Sequence, residues 1–221
     1  MKSEVFLIDC MIGMKDTPDK FYDLALVDPP YGIGHSMIAS KQSCTRYGKS
    51  AARKGDYHYT EWDKSIPDKV YFDELFRVSK NQIIWGANYM TPFLPPSMGW
   101  IFWDKDNSGN YSDGELAFTS FDRGLRKVKR TWNGMIQHDM KNKEERIHPT
   151  QKPVALYKWI YHHYLPQGGK VLDTHLGSGS NRIAAHSAGI DTDKRYSITS
   201  AMLERGANNI SAQLLLTDIS K

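Results

Sequence analysis

Cysteine is nearly absent: Cys10 and Cys44 are the only two in 221 residues, which excludes a disulfide framework and a cysteine-built zinc site. Both read as plain thiols, and no metal is expected. No apolar run approaches the length that spans a bilayer, so a membrane protein is excluded. Met1-Lys2-Ser3-Glu4-Val5 lacks the apolar core and small-residue cleavage site of a signal peptide, so the expected location is cytoplasmic. A strong charge of one sign is missing too: 29 Lys and Arg against 25 Asp and Glu give +4, compatible with a polyanionic partner but common without one. Internal repeats and low-complexity tracts are absent. What remains, 40% hydrophobic and 24% charged residues, is the composition of a globular chain, read as one domain over 1–221.

Apolar runs alternate with helical periodicities. Val5-Phe6-Leu7-Ile8 predicts a strand ending at Asp9, and Leu24-Ala25-Leu26-Val27 a buried strand ending at Asp28. A helix is predicted from about Pro67-Asp68, with Val70, Phe72, Leu75, Phe76 and Val78 as its apolar face, followed by a strand over Gln82–Trp85. Gly99–Trp103 predicts another strand, ending at Asp104. Residues 105–147 read as loop-rich, with strand-like pieces around Leu116–Phe118, and form a candidate target-recognition insert within the domain. Further helices are expected over Pro153–Leu165, Arg182–Ala188 and Ser200–Leu216, with a strand over Lys170–Asp173. The alternation implies an α/β fold with a mostly parallel central sheet flanked by helices, whose ligands bind beyond the carboxyl ends of the strands.

Three motifs carry chemistry. Asp28-Pro29-Pro30-Tyr31 follows a buried strand and opens a loop containing Gly32 and Gly34. A carboxylate and a fixed main-chain carbonyl can both accept hydrogen bonds from one NH2 group, which localises the lone pair of an otherwise poor amine nucleophile. The prolines fix φ and remove competing N–H donors. The competing reading is a Pro-Pro turn with an exposed tyrosine. Asp173-Thr174-His175-Leu176-Gly177-Ser178-Gly179-Ser180 is a strand followed by a glycine turn and a helix start, where positive φ lets the backbone approach a ligand. It has neither the Lys-Ser/Thr of a P-loop nor the three-glycine spacing of a dinucleotide site. His175 fits a packed loop histidine as well as a ligand contact. His148-Pro149-Thr150-Gln151-Lys152-Pro153, bare, is a polar turn before a helix.

In this order and at this separation the motifs resemble the S-adenosylmethionine-dependent amino-methyltransferases of DNA, in the circularly permuted arrangement where the catalytic motif precedes the cofactor loop. Ile83–Tyr89, Trp103-Asp104-Lys105, Trp132-Asn133-Gly134 and Ile147–Ser180 share the resemblance, which covers nearly the whole chain. It implies a Rossmann-like methyltransferase fold, DNA as partner and S-adenosylmethionine as cofactor. Asp28, Pro29, Pro30 and Tyr31 would be catalytic, with Tyr31 stacking on a base flipped out of the duplex. Asp9, Cys10, Lys152, Asp173, Thr174, His175, Gly177, Ser178, Gly179 and Ser180 would bind the cofactor. A leading Asp rather than Ser resembles the branch that modifies N6 of adenine; N4 of cytosine is the alternative. A homodimer is left open.

One departure stands out. The stretch Ala188–Tyr196 is several residues too short for the second strand and ribose-binding carboxylate of the family, leaving Asp191 or Asp193 to replace it. An inactive DNA-binding relative is therefore the competing outcome. Basic residues gather in Lys41, Arg46, Lys49, Arg53 and Lys54, and in Arg123, Arg126, Lys127, Lys129 and Arg130, flanking the catalytic signature as candidate phosphate contacts. Their alternative is a solvated face.

Overall fold

The computed structural model describes residues 5–6, 8–33, 63–107, 112–133, 136–146 and 150–188. Eight strands lie within them: β1 (Tyr22–Val27), β2 (Ser79–Trp85), β3 (Trp100–Asp104), β4 (Gly114–Thr119), β5 (Arg126–Lys129), β6 (Trp132–Asn133), β7 (Ile136–Gln137) and β8 (Val171–Leu172). The α-helices are α1 (Cys10–Lys15), α2 (Lys69–Val78), α3 (Val154–Tyr164) and α4 (Ser180–Ser187). Six strands form one sheet in the order β5-β3-β4-β2-β1-β8, and β6 pairs with β7 in a small separate ribbon. β1 runs parallel to β2 and β8, and β3 parallel to β5; β4 is reversed between β2 and β3. The carboxyl ends of β1, β2, β3 and β8 therefore meet at one edge. The reversed β4 delivers its first residues there, Gly114 opposite Asp104 and Glu115 opposite Trp103.

Period-two alternation along the central strands sends side chains to two separate cores. Leu24, Leu26, Ile83, Trp85, Ile101 and Trp103 pack against Leu156, Tyr157, Ile160 and Tyr161 of α3 and Ala184 and Ala185 of α4. On the other face Ala25, Val27, Ile84 and Phe118 meet Met14 of α1 and Tyr71, Phe72, Leu75 and Val78 of α2. The result is the expected α/β layering, a mostly parallel sheet between helices.

Several expectations change in detail. Val5, Phe6 and Ile8 lie in no strand; Asp9 instead caps α1, accepting from the Met11 N–H at 2.8 Å, and turns the chain into the helix. The buried face of α2 is rotated: Val70 is 56% exposed and Tyr71 takes its place, because its hydroxyl finds Thr174 Oγ1 at 2.7 Å and can be buried satisfied. Within 105–147, Gly114–Thr119 and Arg126–Lys129 are strands of the central sheet, and β6 and β7 lie outside it. The predicted helix over Ser200–Leu216 and the short stretch after Ala188 lie outside the described residues.

Helix α3 starts without a side-chain cap from its own Ncap residue, Pro153. Glu144 supplies one from a distance, both carboxylate oxygens lying 3.0 Å from the Val154 N–H. Gln137 clamps the Glu144 backbone in turn, accepting from its N–H at 2.8 Å and donating to its carbonyl at 2.7 Å. Glu144→Ala is expected to destabilise the protein by about 1 kcal/mol, the usual worth of an N-cap, read as a lowered urea midpoint with an unchanged m-value.

Candidate active site

Asp28 leaves β1 at the carboxyl edge, and the two prolines after it turn the chain so that Tyr31 folds back over it. The Tyr31 hydroxyl donates to Asp28 Oδ1 at 2.6 Å, and its ring stacks on Tyr89, with centroids 5.5 Å apart and planes 19° off parallel. Asp63 pins the loop from below, one oxygen accepting from the Tyr31 and Gly32 N–H groups at 2.7 and 2.9 Å. Gly86, at φ +66°, is needed for the ring to lie where it does: a Cβ there would sit 2.1 Å from Tyr31 Cε1.

The other oxygen of Asp28 belongs to Lys152. Its ammonium lies 2.5 Å from Asp28 Oδ2, 3.0 Å from the Tyr31 hydroxyl and 3.2 Å from Glu115 Oε2, with only 1% of the side chain exposed. Trp85 and Tyr31 present their rings to it at 5.3 and 5.4 Å. Glu115 is held from its far side by Lys105, Nζ to Oε1 at 2.5 Å. Two lysines and two carboxylates thus alternate across the mouth of the site, and their formal charges cancel.

Burial raises the Asp28 carboxyl above its ordinary value, and the Glu115 charge adds to this, against the pull of Lys152. Burial also opposes the charge on Glu115, but Lys152 and Lys105 overcome it and hold that carboxyl at about 2. Lys152 likewise loses solvation, yet the two carboxylates keep it above the usual lysine range and therefore charged. Burial drives the Tyr31 phenol far up, so it remains a donor.

The glycine turn follows β8 at the same edge. Gly177 and Gly179 both have positive φ, +52° and +75°, and Gly179 caps α4. Among the described residues a Cβ on Gly177 would meet only the His175 carbonyl, at 3.9 Å, so none of them crowds the turn there. Asp173 is buried and supports the turn, accepting from the His175 N–H at 3.1 Å and Asn181 Nδ2 at 2.8 Å. Thr174 is buried against Tyr71 and His175. Burial lowers the His175 imidazole to about 4, making it a neutral packed ring at pH 7. Ser178 and Ser180 bond each other at 2.9 Å. Cys10 lines a small hollow with Leu172 and Thr174, while Asp9 is exposed at the start of α1.

The structure thus gathers the expected positions into two groups, Asp28 to Tyr31 beyond β1, and Asp9, Cys10, Asp173, Thr174, His175 and Gly177 to Ser180 beyond β8. Lys152, expected at the cofactor, points its ammonium into the first group. Asp191, Asp193, Lys41, Arg46, Lys49, Arg53, Lys54, His148 and Pro149 lie outside the described residues. Sequence reasoning missed Glu115, Lys105, Asp63 and Asn181. Of the second basic cluster, Lys127 and Lys129 pair with Asp104 and Asp106 at 2.7 and 2.8 Å, and Arg123 donates to the His163 carbonyl at 2.6 Å. The β3–β5 register sets Lys129 beside Asp104 at the site edge and Arg126 beside Ile101 toward the opposite end. No cluster fit to hold a metal occurs among the described residues, and none of their helices is long and apolar enough to cross a membrane.

A buried carboxylate beyond one parallel strand and a glycine turn beyond its neighbour give the edge the layout of a Rossmann-like fold. Comparison with known proteins makes the class specific. The family model described as DNA methylase, for N6 and N4 methyltransferases, matches residues 104–201, a span holding Lys152, Asp173 and the glycine turn. The type II methyltransferase M.HpaI of Haemophilus parainfluenzae is 25% identical over 241 aligned positions, covering 89% of this chain and 72% of that protein. The fold matches the M1.HpyAVI–SAM complex with a TM-score of 0.53 at 15% identity, covering 94% of this chain and 100% of that one. PvuII DNA methyltransferase, cytosine-N4-specific, matches with a TM-score of 0.56 at 10% identity, covering 94% and 86% respectively. The chain is thus similar to N6/N4 DNA methylases in sequence over its second half, and to solved DNA methyltransferases in fold over nearly its whole length.

Gly86→Ala is expected to push the Tyr31 ring off Tyr89 and Asp28. Methyl transfer should fall about a hundredfold, the usual cost of displacing a reacting group by an ångström. Thermal stability should drop only slightly, by about 1–2 kcal/mol for the strained φ. Retained activity would show that Tyr31 need not lie here.

Proposed function

We propose that this chain transfers a methyl group from S-adenosylmethionine to N6 of adenine in DNA. The observation that carries the reading is the Asp28 carboxylate, held by Lys152 at the end of β1 beside the Tyr31 hydroxyl. The glycine turn fits the cofactor, since its positive-φ backbone follows the strand next to β1, at the same edge as Asp28. When bound, S-adenosylmethionine supplies an electrophilic methyl carbon on a cationic sulfur.

The chain's own residues prepare the acceptor. Asp28 Oδ1 and the Pro29 carbonyl receive the two N–H groups of the base amine, turning its lone pair out of conjugation with the ring and toward the methyl carbon. As the N–C bond forms and the C–S bond breaks, the electron pair stays on sulfur. The surplus proton leaves nitrogen toward Asp28, whose raised carboxyl is the better acceptor for it. Tyr31 must release Oδ1 for this to happen, and its freed ring then stacks on the base, offsetting about 1–3 kcal/mol of lost duplex stacking. The choice of adenine rests on Asp, rather than Ser, leading the motif.

Purified protein, mixed-sequence duplex DNA and methyl-labelled S-adenosylmethionine, followed by digestion to nucleosides, tests the reading. Labelled N6-methyladenine is expected, and Asp28→Ala should abolish it. Labelled N4-methylcytosine would overturn the base assignment, and a turnover-competent Asp28→Ala would overturn the mechanism.

The basic cluster separates into two halves in the same system. Lys129 and Arg130 lie at the site edge, so neutralising both should flatten the slope of log affinity for DNA against log salt by about 1.8, at about 0.9 per phosphate contact. Neutralising Arg123 and Arg126, toward the opposite end of the sheet, should leave it unchanged. Equal effects from both pairs would assign the DNA path elsewhere.

A further inference from the structure

Lys152 lies on the oxygen of Asp28 that the base does not use, and nothing in the lysine itself makes that choice. A lysine ammonium on a four-carbon stem is a mobile point charge with three donors. Left to a single carboxylate, it settles between both oxygens, where it would cover the acceptor that the incoming amine needs. A third fixed partner prevents this. Glu115 Oε2 lies 3.2 Å from Lys152 Nζ, reaching it from β4. Its own position is rigid: the residue is in a ladder, paired with Trp103, and its second oxygen is bound by Lys105 at 2.5 Å. The same Oε2 is 3.4 Å from the Tyr31 hydroxyl, so the phenol that must vacate Oδ1 has another acceptor beside it.

We propose that Glu115 is a positioning residue for methyl transfer: it draws the Lys152 ammonium onto Asp28 Oδ2, keeping Oδ1 open for the base amine and giving the displaced Tyr31 hydroxyl a place to go. This rests on the functional reading of Asp28 above. Glu115 touches neither the reacting nitrogen nor the methyl carbon, so its effect passes through Lys152 and Tyr31. It should be visible in turnover rather than in binding. The charged and titratable groups facing Asp28 are Lys152, Glu115, Tyr31, Tyr157 of α3 and Tyr71 of α2. Of these, Glu115 and Lys152 carry charge at pH 7, and removing the Glu115 charge changes the field at Asp28 and Lys152 in a defined sense. Asp28 loses a repulsive neighbour and ionises at lower pH. Lys152 loses an attractive one and gives up its proton at lower pH.

The test uses the full chain with labelled cofactor and duplex DNA, and the wild-type protein is assayed first. Methyl transfer by the wild type upholds the functional reading on which the inference rests; its absence overturns both. Glu115→Gln is expected to lower kcat roughly ten- to a hundredfold, the worth of one charge-assisted hydrogen bond. KM for DNA and cofactor should stay within about twofold, with both limbs of the kcat–pH profile displaced to lower pH. Glu115→Asp, which keeps the charge, should restore the limbs to their wild-type positions. Unchanged kcat in the Gln variant, or a loss with unmoved limbs, would overturn the inference and leave Glu115 a structural residue. Should Glu115→Gln fail to fold by thermal denaturation, Lys105→Met carries the test, since it frees Glu115 from its outer anchor. A several-fold loss of kcat at unchanged KM is then expected, and full activity would overturn the proposal.

Discussion

A carboxylate held at the mouth of a nearly dry site is unstable as an anion unless a cation is brought to it, because desolvating each ion costs several kcal/mol. The Asp28–Lys152 pair meets that condition across 124 positions of sequence, joining the end of β1 to the entry of α3. A single lysine would over-compensate in one place and leave its own remaining protons unsatisfied in another. Tyr31 and Glu115 take those protons, and Lys105 neutralises Glu115. Much of the edge follows from this requirement. β4 must run backward for Glu115 to arrive at the carboxyl side of its neighbours, and α3 must begin where Lys152 can reach under Tyr31.

The cluster also explains the conformation of the loop from Asp28 to Gly32. Tyr31 occupies the oxygen that the base amine would use, rests on Tyr89 and is held through its backbone by Asp63. Asp28, Tyr31, Lys152 and Glu115 each have hydrogen-bonded partners here, while the indole Nε1 of Trp85, whose ring faces Lys152, has none among the described residues. Substrate entry exchanges one hydrogen bond for another at the same oxygen. The net cost of opening is then small, as expected when an intramolecular bond is replaced rather than lost. Gly86 makes the arrangement geometrically possible, since any side chain there would meet the ring.

What the sequence disclosed and what it hid follow from how each residue acts. Asp28 was legible because an apolar run ends at it and two prolines follow, a local pattern with a local meaning. The glycine turn was legible for the same reason, and its positive φ values bear out the conformational reading. Glu115 was not, because it acts through Lys152, and the antiparallel placement of β4 that brings the two together is a property of the whole sheet. Asp63 was hidden likewise: it lies 32 positions from the N–H group it binds, at the end of a stretch without periodicity. Lys152 was picked out by its motif but expected at the cofactor, and only the path of α3 reveals where its stem leads. The strand expected over Val5–Ile8 failed against a capping interaction, Asp9 starting a helix immediately after it. The face of α2 was misjudged because Tyr71 counts as polar in a periodicity, although its one polar atom is satisfied by Thr174.

The second group of site residues is tied to the first by a similar economy of partners. Asn181, at the start of α4, donates to the Leu26 carbonyl at 3.1 Å and to Asp173 at 2.8 Å, and accepts from Tyr161 of α3. One buried amide thus connects β1, the support of the glycine turn and the helix that follows Lys152. Distortion of the turn therefore reaches α3 through Tyr161, and through α3 the stem of Lys152. At the other end of that helix, Glu144 and Gln137 attach the peripheral 136–146 segment to the first N–H groups of α3. If a duplex is gripped by that segment, its arrival is felt at the base of Lys152 through hydrogen bonds alone. Target contact and carboxylate alignment then share one rigid element, which needs no moving domain to connect them.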